Sequence, residues 1–241
     1  MAKYSGEEVL DKIRKHREAN GLSGNRFDLR ESEITGGDLS GADLRNIDFF
    51  GSTFDGVDLR NADFDNCNLH KVWFKDCIMP GVKLTNSDVA EAMMRHMDLT
   101  GADFSGSNFH RALLEYTTLD GVKDDENTKF FRNYCPEEGP FVAWKCCTEL
   151  RVVQLLVPAD AKRCSATGET CRCSKAKVLS IKSVDETVSY DWAQSTVDPD
   201  FYYEVGKWVY PSYFQEDRWM DSSAGIHFFM TREEAVAYQM R

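Results

Sequence analysis

The chain has 241 residues, 42% apolar and 29% charged, with 40 acidic against 29 basic side chains and a formal net charge of −11. That composition fits a soluble globular protein with a real core. The acidic balance excludes general affinity for a nucleic-acid backbone, which needs Lys and Arg to neutralise phosphates.

No apolar run reaches the roughly 20 residues of a membrane span, and the first residues, Met1 to Glu8, lack the apolar stretch of a signal peptide. No membrane contact is expected. The expected location is the cytoplasm, with the eight cysteines reduced. None of them has the Cys-x-x-Cys spacing of a zinc site, so no metal is expected.

Residues 1–26 open with Ser5-Gly-Glu-Glu8, a capping box, ahead of a helix of about three turns with Val9, Leu10 and Ile13 on one side. Asn20-Gly21 stops it. This segment is expected to plug the open end of the element that follows.

That element, residues 27–121, has a period of five. Nineteen consecutive positions from Leu29 to Leu119, each five apart, are apolar. Two residues before each lies a second series of mostly small residues, among them Ala42, Ser52, Ala62, Cys67, Ser87 and Ala102. Phe27 is large for its slot and predicts an irregular first coil. A period of five fits neither a helix nor a flat strand. It fits a solenoid that turns a corner every five residues and closes a square coil of 20. One small and one large inward residue then fill its axis. Corners rich in Gly and Asn tolerate tight turns. Nearly five coils at about 4.8 Å each give a rod roughly 23 Å long.

With Gly41-Ala-Asp-Leu44 and Gly101-Ala-Asp-Phe104 as its clearest units, the pattern resembles the pentapeptide-repeat family over residues 27–121. The resemblance implies a right-handed quadrilateral β-helix. It also implies a non-enzymatic protein-binding scaffold, since some acidic rods of that family resemble B-form DNA and bind DNA gyrase.

Residues 20 apart share a side of the coil. Two adjoining sides read Asp38, Asp58, Ile78, Asp98, Thr118 and Asp43, Asp63, Lys83, Asp103; a third reads Asp28, Asp48, Asn68, Asp88, Asn108. Residues 27–125 hold 19 acids and 9 bases, a net of −10. An acidic DNA mimic facing a DNA-binding enzyme through Asp38, Asp43, Asp58, Asp63, Asp98 and Asp103 is one reading; solvated filler is the plainer one. The fourth side reads Glu33, Thr53, Trp73, Met93, Leu113, with His96 and Tyr116 near its edge. Trp73, Met93, Leu113 and Tyr116 are therefore the candidate partner-binding stripe, with Trp73 as anchor. The plainer alternative is that the C-terminal domain covers the stripe. Association of two copies is a third reading.

Residues 122–140 are polar, hold Gly139-Pro140 and read as a linker. Residues 141–241 read as a small α+β domain. Its strand-like runs are at 141–147, 151–157, 177–181, 201–209 and 225–230, and a terminal helix opens at Thr231-Arg-Glu-Glu234. Phe141-Val-Ala-Trp-Lys145 and Gly225-Ile-His-Phe-Phe229 resemble an uncharacterised domain of phage and prophage proteins. That likeness implies a phage or bacterial origin, and a host cytoplasm if phage-encoded, with action on a host protein.

Lys162, Arg163, Arg172, Lys175 and Lys177 stand with small hydroxyl residues against the single acid Glu169. As a flexible basic loop they form a candidate anion or nucleotide site, with the rod as support; a solvated hairpin is the plainer reading. The order of a P-loop is absent. His227 sits among apolar neighbours as a structural histidine, and Cys146-Cys147 reads as buried strand cysteines ahead of a redox pair. With no catalytic constellation, no enzyme activity and no cofactor are expected.

Overall fold

A computed structural model describes residues 1–22 and 25–240. The chain divides into two units, Met1–Arg132 and Asn133–Arg241. It is mainly β. Among the described residues no helix is long and apolar enough to cross a membrane.

In the first unit, parallel ladders join residues 20 apart, as between Asp43 and Asp63, Asn68 and Asp88, and Met93 and Leu113. Short strands β2 (Phe27–Asp28) and β4 (Ile47–Asp48) pair on one side of the coil. On another, β3 (Ser32–Thr35), β5 (Thr53–Asp55) and β6 (Trp73–Lys75) form a parallel sheet, joined at its edge by β1 (Ala2–Ser5). Through the middle of the coil both inward series are buried. Ile34, Leu44, Phe54, Phe64, Leu84 and Phe104 have no exposed surface, and neither do Ala62, Cys67 and Ala102. Rings stack along the axis, Phe54 on Phe74 with centroids 5.4 Å apart.

The small inward residues do more than fill space. The Ser87 hydroxyl donates to the Phe64 carbonyl at 2.7 Å and accepts the Cys67 N–H at 2.9 Å. Ser52 bonds Leu29 and Ser32 in the same way, and Ser107 bonds Leu84 and Ser87. Cys67 replaces the hydroxyl with a thiol on Leu44. Backbone groups inside the axis, which meet no water, are satisfied by these side chains.

Helix α1 (Gly6–Asn20) starts at a complete capping box of Ser5 and Glu8. It buries Val9 and Ile13. Gly6 and Gly37 approach so closely that a Cβ on Gly6 would lie 2.9 Å from the Gly36 oxygen. Arg17 donates to the Asp43 and Arg45 carbonyls and pairs with the Asp43 carboxylate at 3.1 Å. Phe27 stacks on His16 at 4.3 Å, which gives the oversized residue of the first coil a partner on α1.

The ladder does not stop at Gly121. Lys123 pairs with Asp103, and Lys129 with Asn108, a spacing of 21 instead of 20. Thr128 takes the small inward position and accepts or donates among Gly106, Asp125 and Phe104. The expected linker at 122–140 therefore begins inside the coil. One inserted residue shifts the phase, and Phe131 packs on Phe104 and Phe109 beyond it.

The second unit is built on antiparallel strands. These are β7 (Phe141–Cys146), β8 (Val152–Val157), β9 (Arg163–Ser165), β10 (Cys171–Cys173), β11 (Ala176–Lys182), β12 (Trp192–Gln194), β13 (Tyr202–Glu204), β14 (Trp208–Val209) and β15 (Ile226–Phe228). They form sheets in the orders β14-β11-β8-β7, β15-β10-β9 and β12-β13. The expected run at 201–209 is two strands, split at Gly206, whose φ is +82°. The core gathers Leu155, Val157, Cys171, Cys173, Val178, Tyr203 and Phe228. Helix α2 (Arg232–Gln239) opens at the capping box of Thr231 and Glu234 and buries Ala235.

Candidate functional site

Each coil corner needs a left-handed residue, and every corner residue has a positive φ. Two corners meet that need with residues that adopt it readily. One carries Gly41, Asn61, Gly81, Gly101 and Gly121, the next Asn46, Asn66, Asn86 and Gly106. The two corners that bound the Trp73 side are different. One carries Glu31, Gly51, Lys71, Glu91 and Arg111, the other Gly36, Gly56, Asp76, His96 and Tyr116. A long or aromatic side chain in this backbone costs roughly 1 kcal/mol. From the third coil on, the chain carries that cost on both edges of one side only.

Between those edges runs the apolar column. Trp73 is 43% exposed, Met93 and Leu113 are half-buried, and Tyr116 is 61% exposed. Trp73 pairs with Met93, and Met93 with Leu113, so the three side chains stand in register on one side. Aromatic pairs line both edges: His96 on Tyr116 at 4.8 Å and nearly parallel, and Phe50 on His70 at 5.5 Å. Many of the charges along these edges pair with each other, Lys75 on Asp55, Arg95 on Glu115, Lys71 on Glu91. The stripe expected from sequence is thus a continuous column in a setting of self-paired charge. The corner conformation was not legible as strain until the turns were known to be left-handed.

The acidic sides have a different construction. Asp38, Asp43, Asp58, Asp63, Asp98 and Asp103 each accept the backbone N–H two residues on, from Ser40 at 2.9 Å to Arg45 at 3.2 Å. A short carboxylate or amide is therefore required at that slot by the turn. Several are neutralised as well. Arg30 holds Asp28, Arg45 and Arg17 hold Asp43, Arg60 holds Asp58, and Lys83 lies 3.7 Å from Asp63. The Arg30 and Arg45 guanidiniums hold the Asp28 and Asp43 carboxyls down at about 2. On the third side Asn68 and Asn108 donate to Asp48 and Asp88, which relieves like-charge stacking.

The five basic residues of the second unit do not form one anion cradle. Residues 163–165 and 171–173 are strands β9 and β10 of a sheet, and Arg172 is 1% exposed. Its guanidinium donates to the carbonyls of Gln215, Ala224 and Asp217. Arg163 donates to those of Ala161, Gly139, Pro158 and Ala159. Lys162 pairs with Glu216, Lys175 with Asp160 at 2.5 Å, and Lys177 stands on β11 opposite Trp208. The expected loop of open charge is corrected to structural arginines that satisfy backbone carbonyls. A chain of scattered partners is invisible in a local window of sequence.

The eight cysteines are buried and unbridged. Burial pushes the Cys147 and Cys173 thiols up to about 12 and that of Cys77 to about 11. His227 bonds the Ser223 carbonyl at 2.7 Å, and burial lowers its pKa.

Comparison with known proteins agrees with this division of the chain. Residues 47–123 match the family described as a pentapeptide repeat region, and residues 131–235 match DUF5758, a family of unknown function. No curated protein matches the sequence. Among solved structures, the pentapeptide repeat protein Rfr23 from the cyanobacterium Cyanothece 51142 is 17% identical, with 49% of this chain and 97% of that one covered at a TM-score of 0.36. The pentapeptide repeat protein alr5209 from Nostoc Pcc 7120 is 20% identical, covering 51% and 83% at 0.28. QnrB1, a plasmid-mediated fluoroquinolone resistance protein, is 19% identical in a trypsin-treated form, covering 48% and 72% at 0.19. Residues 47–123 of this chain are a pentapeptide repeat region, and residues 131–235 match a family whose function is unknown.

Proposed function

We propose that the chain is a non-enzymatic protein-binding scaffold whose docking surface is the side of the coil bearing Trp73, Met93 and Leu113, with His96 and Tyr116 on its edge. One observation carries this reading. The corners around that side hold Lys71, Glu91, Arg111 and Tyr116 in left-handed backbone, where the other two corners use only Gly and Asn. Local strain that the fold does not need marks a place where side chains serve something else. An apolar column among neutralised charges suits burial against a protein, because little charge must be desolvated. In the same reading β1 and α1 close the first coil, and the second unit is a separately cored α+β domain.

The acidic sides take second place, because their aspartates hold the turns and several are paired with Arg or Lys. A DNA-mimic reading requires those carboxylates to face a basic partner. The test compares partner capture from a cell lysate by the wild type, by Trp73→Ala/Met93→Ala/Leu113→Ala, and by Asp38→Asn/Asp98→Asn/Asp103→Asn. The column variant is expected to lose the partner at least tenfold, with weak dependence on salt. Loss in the acidic variant alone, with DNA displacing the partner, would place recognition on the carboxylates and overturn the column.

A further inference from the structure

The outward face of the hairpin β12–β13 carries an aromatic and acidic group that the coil does not share. Trp192 stands opposite Glu204, and Gln194 opposite Tyr202, while the alternate pair Ala193 and Tyr203 is buried. The Trp192 and Tyr202 rings lie 5.8 Å apart and are 45% and 47% exposed. Two large rings at that exposure on a single hairpin face are more than packing requires.

Apart from Arg151, which lies on Trp192, the charge carried by this stretch of chain has one sign. Residues 183–206 contain Asp185, Glu186, Asp191, Asp198, Asp200 and Glu204 and no Lys or Arg. Glu204 makes no ion pair among the described residues, although it is exposed and shares the face with both rings. An unneutralised carboxylate beside two half-exposed rings favours a cation that is also planar and weakly hydrated. A guanidinium meets that description better than an ammonium.

The structure already holds one example of the chemistry. Arg151 lies over the Trp192 ring at 4.5 Å and over the Tyr190 ring at 4.4 Å. It also donates to the Trp192 carbonyl at 2.9 Å. Trp192 keeps its 45% exposure with Arg151 in place. The hairpin is therefore an aromatic ladder that has accepted one guanidinium from within.

We infer that this face binds an arginine side chain of a partner polypeptide, stacked on Trp192 and Tyr202 and paired with the Glu204 carboxylate. The site lies wholly in the second unit and stands independently of the docking column on the coil.

The test titrates the intact protein with an acetylated Gly-Arg-Gly-Arg-Gly amide and with its citrulline counterpart, which has the same shape without the charge. Binding is followed at the indole N–H resonance of Trp192, assigned by its loss in Trp192→Phe. The arginine peptide is expected to move that resonance to saturation, and the citrulline peptide to leave it in place. Glu204→Gln, an exposed and nearly isosteric change, is expected to weaken binding about threefold or more, and Tyr202→Ala about tenfold. Equal response to both peptides, or affinity unchanged in Glu204→Gln and Tyr202→Ala, overturns the inference. So does arginine-peptide binding that leaves the Trp192 resonance still, since that charge is then being met on the acidic coil.

Discussion

At the scale of single residues, the coil's inward small positions show how much chemistry a modest side chain carries. Ser87 is 2% exposed, and its hydroxyl serves the Phe64 carbonyl and the Cys67 N–H together. Removing it takes a hydrogen bond from each and leaves only the 3.2 Å bond between the Cys67 N–H and the Phe64 carbonyl, at about 0.5–1.5 kcal/mol per lost bond. Ser87→Ala is expected to lower unfolding stability by about 1–3 kcal/mol, read from denaturant midpoints. Ser87→Cys, which places a thiol where Cys67 has one, is expected to recover part of it. A loss below about 0.5 kcal/mol for Ser87→Ala would mean that the axis re-satisfies these groups by other means. The sequence marks the slot as small, whereas the choice of a hydroxyl over a methyl is explained only by the carbonyl it faces.

At the scale of the element, each side of the coil is a strand, a turn and a left-handed corner. The turn explains the recurring Asp and Asn, since their side chains accept the N–H two residues on. The corner explains Gly and Asn by their tolerance of positive φ. Lys71 and Arg111, with φ of 60° and 59°, are exceptions. Lys71→Gly and Arg111→Gly are each expected to raise stability by about 0.5–1 kcal/mol, less whatever Lys71 contributes through its exposed pairing with Glu91. The same variants are expected to weaken partner capture, which separates strain kept for function from strain without a use. Destabilisation of both by glycine, checked by chemical denaturation, would remove the argument that these corners are under strain. In the second unit the corresponding lesson is Arg172. Its spacing from Lys175 and Lys177 suggested an open basic loop, while β9 and β15 on either side of β10 bury it among carbonyls.

At the scale of the whole molecule, the charge is unevenly divided, with a net of −10 on residues 27–125 out of −11 for the chain. Asp28 and Asp43 are held down at about 2, chiefly by side-chain hydrogen bonds from Arg30 and Arg45. Their ordinary value is about 3.9. A carboxyl depressed in the folded state takes up its proton more readily when unfolded. Its contribution is therefore full above about pH 4 and is lost as pH falls toward 2. Asp28 is largely exposed, so solvent screens much of its share, and Asp43, further covered by Arg17, is expected to dominate. The melting temperature of the first unit is expected to fall through that window, and Asp43→Ala to flatten the fall. A melting temperature constant from pH 4 to 2 would contradict this.

The period of five determined by itself that residues 27–121 wind into a coil, which side chains point inward and which column is apolar. Those properties follow from neighbours in the chain, because every coil repeats the same local geometry against a copy of itself. The end of the coil was not local. The one-residue slip before Thr128 breaks the phase, and the pairing of Lys129 with Asn108 shows that the ladder continues. The second unit has no repeat, so its pairings join residues far apart. Tertiary structure alone decided that Arg163 and Arg172 serve distant backbone carbonyls, and that Trp192 and Tyr202 share an open face with Glu204. The physical reason is that a side chain's role is set by what it packs against, and in a non-repeating fold that partner cannot be read from spacing.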